Sequence, residues 1–191
     1  MDDRAGGYSG SDSYRHVEPL LFDRGKELLI ISPYIGMRYA RKLVGIGRRK
    51  RIKIVTSRYS QDVVAYIRRH SRYLLYGYAK AVSLLAIGAF VSAYFSFYAI
   101  AIFAAAGAAL ISGMGYVMYR LSRNSQIEAR ISYRRFVHEK AYISDCAAVV
   151  GSANLTYSGL HKNVERVEII TDQDRIEGLR THFFEIWERS N

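Results

Sequence analysis

The sequence predicts an α/β sandwich that is interrupted by a two-helix transmembrane hairpin. Short apolar runs typical of strands alternate with amphipathic helices on both sides of the middle of the chain, which favours an α/β arrangement. Residues 81–119 form a run of 39 positions without a charged side chain, whereas one membrane span needs roughly 20 apolar residues. Without residues 73–119 the chain keeps 144 residues, a suitable length for one compact domain.

The first part of this domain is predicted over residues 16–72, after a flexible tail over residues 1–15. The tail is rich in Gly, Ser and Asp, a composition typical of disordered segments. The apolar pattern then predicts five elements in order: a helix over 16–27, a strand over 28–33, a helix over 37–47, a strand over 52–57 and a helix over 61–72.

The apolar middle, residues 73–119, is predicted to form two packed membrane helices at about 75–96 and 98–119. Aromatic residues cluster at its start, middle and end, as expected where helices cross a membrane interface, and small residues recur at every fourth position. Both flanks are basic, which by the positive-inside rule places both ends in the cytoplasm and excludes a single span. The alternative is a buried helical hairpin in a soluble protein. We expect a multi-pass membrane protein with two spans, whose α/β domain and both termini are cytoplasmic.

The second part of the domain is predicted over residues 120–191. Its predicted elements are a polar helical extension over 122–129, strands over 131–143, 146–150 and 164–171, and a helix over 174–189. Residues two apart on a strand share a face, so His138 and Lys140 point the same way. Val137, Ala141 and Ile143 point the other way, which suits burial.

A set of polar residues surrounds this strand and the loop after it: His138, Lys140, Asp145, Gly151, Ser152, Asn154, Asn163 and Glu165. A neutral His138 is a nucleophile near neutral pH, and a protonated one is a general acid. Lys140 can stabilise charge on phosphate oxygens, to which Ser152 and Asn154 offer further hydrogen bonds. Glu165 is suited to hold one imidazole nitrogen. Such a set can attack a phosphodiester without a metal, and no cluster with metal-ligand spacing is present.

This spacing resembles the HxKx4Dx6GSxN motif of the phospholipase D superfamily, with five residues between Asp145 and Gly151. Residues 28–35 and 53–56 are similar to the first two strands of that family. The resemblance implies a two-step reaction, in which one histidine forms a phosphohistidine and a second histidine protonates the leaving group. It implies that Asp145 is more a scaffold residue than a reacting one. The site residues implied are His138, Lys140, Asp145, Ser152, Asn154 and Glu165 as catalytic, with Lys140, Ser152 and Asn154 binding substrate, and no metal or cofactor.

The chain carries a single copy of the motif. Its other histidines, none followed by the same pattern, are His16, His70, His161 and His182. The single-motif members that the chain resembles are a bacterial endonuclease group and a mitochondrial-surface group, which act as symmetric homodimers. A two-fold axis would bring two His138 side chains together, so the resemblance implies a homodimer.

The charge of the chain favours a polyanionic partner. A formal net charge of +11 suits nucleic acid or an anionic membrane surface. The basic run over 48–51, with Lys53, is either a phosphate-binding patch or a solvated loop before a strand, and the pattern does not choose between them. Cys146 is the only cysteine, so an intrachain disulfide is excluded.

Three functions remain open on the sequence. The first is a membrane-anchored phosphodiesterase that cleaves nucleic acid. The second is a phospholipid hydrolase or phosphatidyltransferase that acts at the membrane surface. The third is an inactive membrane tether, which the intact set of polar residues disfavours. A fold alone does not decide the substrate.

Overall fold

In a computed structural model, the chain divides into two compact units, Met1–Arg68 with Asn124–Asn191, and Arg69–Arg123. The residues described are 6–47, 49–70, 83, 87, 106–107, 109–113, 115–116, 126–133 and 137–190. The first unit contains the sheet and all the residues of the polar set.

The core of the first unit is a seven-stranded sheet in the order β1-β7-β6-β5-β2-β3-β4. The strands are β1 Gly6–Gly10, β2 Glu27–Ile31, β3 Arg51–Ser57, β4 Ile127–Ser132, β5 Lys140–Ser144, β6 Ala148–Gly151 and β7 Glu165–Ile170. β2, β3 and β4 are parallel, whereas β5 pairs antiparallel with both β2 and β6. β7 is antiparallel to β6 and to β1, which covers its outer edge.

Helices cover both faces of this sheet. They are α1 Tyr14–Phe22, α2 Met37–Ile46, α3 over 61–70, α4 Tyr157–His161 and α5 Gln173–Glu188. α1, α2, α3 and α4 share one apolar core with alternate strand residues, and α5 forms the other core with the opposite faces of β2, β3 and β5. β2 is buried over its whole length, because Leu28 and Ile30 face the first core and Leu29 and Ile31 face the second. A central strand of this kind reads as a continuous apolar run.

The structure confirms the predicted strands at 28–33, 52–57, 146–150 and 164–171, with shifts of one to two residues at the ends. It also confirms the helices predicted at 37–47 and 174–189. The last of these begins where the Asp172 side chain accepts a hydrogen bond from Arg175 N at 2.9 Å, as an N-cap does.

Two sequence predictions near the N-terminal end are wrong. The predicted flexible tail contains β1, whose Gly-rich backbone pairs with β7, and α1 already begins at Tyr14. The predicted helix over 16–27 ends at Phe22, because Asp23 turns the chain and its carboxylate accepts a hydrogen bond from Gly25 N. Pairing with a distant strand is a tertiary effect that composition does not encode.

The region after the apolar middle also differs from the prediction. Residues 127–129, predicted within a polar helix, belong to β4, and the strand predicted over 131–143 is in fact two strands, β4 and β5. Buried Ile127, Ala129 and Ile131 alternate with more exposed residues along β4. This period of two is the pattern of a half-buried strand.

The predicted transmembrane hairpin over 73–119 lies for the most part outside the described residues. Positions 83, 87, 106–107, 109–113 and 115–116 are described, and all are helical. Within the part of the chain that the structure describes, no helix has the length and apolarity that a membrane crossing requires.

Candidate active site

All of the polar set except Asp145 gathers at one end of the sheet, where β2 ends and β5 begins. Because β5 runs antiparallel to β2, with Ile31 opposite Ala141, Lys140 lies beside the carboxyl end of β2. Gly151 pairs with Lys140 on one side and with Val167 of β7 on the other. The turn after β6 and the start of β7 therefore meet the start of β5 at the same edge.

Lys140 lies at the centre of this cluster and is 5% exposed. Its Nζ donates to the His138 carbonyl at 2.5 Å and lies 3.4 and 3.5 Å from Nδ1 and Nε2 of the His138 ring. An ammonium has only protons to donate, so a ring nitrogen that faces it acts as an acceptor. The ammonium thus lies beside the ring that the motif predicts to be the nucleophile.

Burial lowers the pKa of Lys140, against the opposing effect of the Glu165 carboxylate. The Glu165 side chain is itself buried, at the start of β7. Two opposite charges are thus held in a partly desolvated pocket, where an electrostatic interaction with a phosphate is stronger than in water.

Glu165 connects the two strands that border the site. Its Oε2 accepts a hydrogen bond from Ser152 Oγ, and its Oε1 accepts one from Asn163 Nδ2 at 3.2 Å. Arg166 N in turn donates to Ser152 Oγ at 3.0 Å. The Ser152 hydroxyl, predicted to bind phosphate, is therefore also part of the network that fixes Glu165. Asn163, to which the sequence assigned no role, orients the same carboxylate.

The close approach of β6 to β7 requires a glycine at position 151. A Cβ on Gly151 would lie inside van der Waals contact with Arg166 O and 2.8 Å from Val167 Cα. The glycine of the motif therefore allows Ser152 to lie against β7, next to Glu165.

The loop that carries Asn154 is anchored at several points. Tyr142 Oη donates to the Ala153 carbonyl at 2.8 Å, and Leu155 N donates to Ser32 Oγ at 3.0 Å. Burial raises the pKa of Tyr142, so its hydroxyl stays protonated and able to donate. Asn154 Oδ1 is buried without a hydrogen-bond partner among the described residues. An unpaired buried polar atom of this kind costs about 1–3 kcal/mol.

Asp145 is not brought to this cluster. It follows the last residue of β5, and its Oδ2 accepts a hydrogen bond from Lys26 N, just before β2. The five residues of β5 put it roughly 16 Å from Lys140 along the strand. Asp145 therefore does not lie at the catalytic position predicted for it. Its contact with Lys26 N instead links the end of β5 to the start of β2, in line with a scaffold role.

The basic run before β3 lies at the same far end of the sheet as Asp145. Lys50 is 3% exposed, and its Nζ contacts the Asp23 carboxylate and the Leu20 carbonyl, the latter at 3.1 Å. Arg51 Nε donates to Gln126 Oε1 at 3.0 Å, and a second Arg51 nitrogen lies 3.6 Å from Glu27. Lys50 and Arg51 therefore hold the domain together instead of forming a patch beside His138. Position 48 of the run lies outside the described residues.

Metal ligands do not cluster in the described part of the chain: it contains no group of three or more His, Cys, Asp or Glu residues placed to hold an ion. The groups gathered at the site are instead an imidazole, an ammonium, a hydroxyl, an amide and a carboxylate. This is a donor set suited to a phosphodiester.

Solved structures share this fold. Nuc from Salmonella typhimurium, a phospholipase D family member, matches with a TM-score of 0.59 at 15% identity, over 98% of this chain and 97% of that one. NucT from Helicobacter pylori matches with a TM-score of 0.55 at 12% identity, over 98% and 97% of the two chains. Phosphatidylserine synthase from Haemophilus influenzae Rd KW20 matches with a TM-score of 0.55 at 13% identity, over 98% of this chain and 39% of that one.

The family comparison is more specific than these structural similarities, which at such identities show the fold alone. No curated protein matches the chain. A family model described as "Cardiolipin synthase, PLD-like domain" matches residues 23–187, which include the sheet from β2 onward and the complete polar set. The match extends over 165 of the 191 residues, and the chain therefore belongs to this family of phospholipase D-like domains.

Proposed function

We propose that the protein is a membrane-anchored, metal-independent phosphodiesterase that cleaves nucleic acid through a phosphohistidine on His138. The observation that carries the proposal is the contact between the buried Lys140 ammonium and the His138 ring, at 3.4 and 3.5 Å. A ring nitrogen attacks phosphorus, and the bond to the leaving oxygen breaks as that oxygen takes a proton from a second acid. Water then attacks the phosphorus of the phosphohistidine, and the bond between phosphorus and His138 breaks. The ring is regenerated, and the phosphate stays on the other product.

The remaining polar residues stabilise this reaction. Lys140 is placed to meet the charge on the non-bridging oxygens, since its Nζ lies beside the attacking ring. Asn154 is a further candidate to contact the substrate, because the Nδ2 group of its amide can donate to a phosphate oxygen. Glu165, fixed by Ser152 and Asn163, is proposed to orient the imidazole.

The second acid is proposed to be His138 of a second copy, in a symmetric homodimer. His161 is stacked between Tyr14 and Tyr157, with ring centroids 4.4 and 4.7 Å away. His182 lies on α5 and its Nε2 is 2.9 Å from Glu139 Oε2. These histidines already have structural partners, whereas a two-fold axis supplies a second His138 directly.

Membrane anchoring by residues 73–119 is part of the proposal, with the domain and both termini in the cytoplasm. Among the described residues of that segment, Ile87 and Leu110 expose 60% and 75% of their surface. The anchoring is proposed from the 39 positions of residues 81–119 that carry no charged side chain, a longer run than one membrane span needs. Proteolysis of sealed membranes tests this part. We expect the domain to be protected from a protease that is added on the side opposite the cytoplasm. We also expect the protein to be released from the membrane only by detergent.

Nucleic acid is the substrate we favour. Nuc and NucT correspond to this chain over 97% of their own lengths, whereas the phosphatidylserine synthase does so over 39%. The net charge of +11 suits a polyanion. The second candidate is phospholipid cleavage or phosphatidyl transfer at the membrane surface, which the description of the family, a cardiolipin synthase domain, supports.

The test compares wild-type protein with His138→Ala in mild detergent containing EDTA. Each is given labelled single-stranded DNA and labelled anionic phospholipid in the same assay. The matched control is His182→Ala, which removes a half-exposed histidine from α5. We expect DNA cleavage that resists EDTA, is lost in His138→Ala and persists in His182→Ala.

Other results separate the alternatives. Headgroup release that depends on His138, without DNA cleavage, would support the lipid enzyme. Absence of both activities would leave the inactive tether. Complete loss of activity on chelation would contradict the metal-independent mechanism, and an active monomer would contradict the shared site.

A further inference from the structure

Two exposed tyrosines stand next to each other at the edge of the sheet. Tyr34 follows β2 and is 41% exposed, and Tyr59 follows β3 and is 60% exposed. Their rings are stacked, with centroids 5.6 Å apart and planes 24° apart. The guanidinium of Arg58 lies 5.4 Å from the centre of the Tyr59 ring. The two rings thus form an aromatic stack that is partly open to solvent, with a positive charge over the Tyr59 ring.

This surface lies at the same end of the sheet as His138. The carboxyl ends of β2 and β3 are adjacent because the two strands are parallel, and the start of β5 lies beside the end of β2. Ser32 Oγ donates to the Tyr34 carbonyl at 2.8 Å and accepts from Leu155 N, next to Asn154. Gly36 N also donates to the Leu155 carbonyl at 2.8 Å. The segment that carries Tyr34 is therefore bonded directly to the loop that carries Asn154.

The backbone under the two rings is firmly held. The Pro33 carbonyl accepts hydrogen bonds from the hydroxyls of Ser57 at 2.6 Å and Ser60 at 3.3 Å. Ser60 Oγ in turn accepts from Ile35 N at 3.0 Å. Because the turns after β2 and β3 are tied to each other, the rings are positioned before any ligand binds. Such preorganisation reduces the entropy that binding costs.

We propose that Tyr34, Tyr59 and Arg58 form a stacking ledge that binds the base of a nucleotide next to the phosphodiester cleaved at His138. The inference rests on the proposed nuclease function and assigns a base-binding subsite to it. Aromatic side chains bind bases of single strands through their ring faces, and a nearby guanidinium contributes a cation–π contact and a charge for the backbone. The ledge accepts any base, because it offers ring faces and one cation instead of groups that read base edges.

The ledge makes a kinetic prediction that a structural role would not make. It contacts the base, which does not change during the reaction, so it binds substrate and transition state equally. Loss of the ledge should therefore raise KM and leave kcat nearly unchanged. The effect should also require a base in the substrate.

The experiment compares Tyr34→Leu, Tyr59→Leu and the double variant with Tyr34→Phe and Tyr59→Phe, which keep the rings. The matched control is Phe22→Leu. Phe22 is similarly exposed, but it lies at the end of α1, near the start of β2 and therefore at the end of the sheet opposite to His138. Each protein is assayed on a short thymidine oligonucleotide and on an abasic oligonucleotide with the same number of phosphates. We expect about a tenfold rise in KM on the thymidine substrate for each Leu variant, less than about twofold for the Phe variants and the control, and no difference on the abasic substrate.

Failure of the ledge and failure of the nuclease function give different results. Equal losses on both oligonucleotides, or no loss on either, would overturn the ledge while the nuclease function stands. Wild-type protein that cleaves neither oligonucleotide would refute the nuclease function. In that case binding of the two oligonucleotides, measured by fluorescence anisotropy, tests the ledge. The ledge is supported only if binding requires both the base and the tyrosine rings. Loss of phospholipid headgroup release in the Leu variants, with oligonucleotide binding unchanged, would overturn it in favour of a membrane-facing rim.

Discussion

Replacing Lys140 by methionine removes the ammonium from the candidate site and keeps an unbranched side chain of nearly the same reach. Lys140 is 5% exposed, and its ammonium lies 3.4 and 3.5 Å from the nitrogens of the His138 ring. A preorganised group that meets charge developing on phosphate oxygens contributes about 10²–10³ in kcat, or about 2.7–4 kcal/mol. We expect a loss of that size in kcat, with a smaller change in KM, because the charge on the phosphate grows in the transition state.

The stability of the Lys140→Met protein should change much less than its activity. The substitution loses a hydrogen bond to the His138 carbonyl, worth about 1.5–3 kcal/mol for a charged donor. It also removes a buried charge, whose desolvation costs a comparable amount. The Glu165 carboxylate also loses its opposite charge but keeps its hydrogen bonds from Ser152 and Asn163, so we expect a net loss of about 1 kcal/mol and a Tm lowered by about 2–4 °C.

The pKa of Lys140 adds a second observable. Burial lowers this pKa in the folded protein below its ordinary value of 10.5, so the unfolded chain binds more protons at pH values between the two. Lys140 therefore makes the free energy of unfolding rise with pH in that interval, and the methionine variant should lose this slope. Activity should fall as pH rises through the lowered pKa, when the ammonium becomes neutral.

Single-turnover kinetics on a labelled oligonucleotide, thermal unfolding and a pH profile of kcat together check this reasoning. A matched control is Lys42→Met, since Lys42 is a cation on α2 that is paired with Glu18, at 2.9 Å. Wild-type kcat in Lys140→Met, or an equal loss in Lys42→Met, would refute the role assigned to the ammonium.

Three further substitutions separate the roles of other residues. Glu165→Gln keeps the shape of the side chain but loses its charge and one of its two accepting oxygens; we expect kcat to fall about 10²-fold with about 1 kcal/mol lost from stability, and near-normal turnover would show that the carboxylate does not orient His138. Asp145→Asn weakens the contact with Lys26 N at the far end of β5; we expect a loss of about 1 kcal/mol in denaturant unfolding and a kcat within about twofold, whereas a loss of 10² in kcat would return Asp145 to the site. Gly151→Ala introduces a Cβ 2.8 Å from Val167 Cα; we expect about 1–3 kcal/mol of destabilisation in the same measurement, and unchanged stability would show that β6 and β7 can separate at no cost.

Local pattern was sufficient for the elements whose burial follows from their own residues. β2 was predicted from its apolar run, because both of its faces are buried. The shared face of His138 and Lys140 followed from the period of two: Tyr142 of the same face lies in the first core, while Ala141 and Ile143 lie in the second.

The errors arose where a distant partner decides the structure. The glycines within residues 6–10 are typical of a disordered segment, and only their pairing with β7 makes this segment a strand. The local sequence likewise does not indicate that Lys50 is buried against Asp23. Asp145 follows the end of β5 and is bonded to Lys26 N, a contact across the sheet that the local pattern does not show. The aromatic ledge joins residues that follow two different strands, so only the parallel pairing of β2 and β3 reveals it.

The pairing of β3 with β4 also has a consequence for how the chain can be extended. These parallel neighbours need only a crossover of a dozen or so residues, and α3 alone is nearly that long. Ser57 ends β3 and Ile127 begins β4, so 69 positions occupy a connection that the sheet would close with far fewer. Gln126 is fixed between Gly47 and Ile52 by backbone hydrogen bonds of 3.0 and 2.6 Å, so β4 enters the sheet in register at the end far from His138. The connection between β3 and β4 can therefore change in length or composition without shifting the strands that position the candidate site.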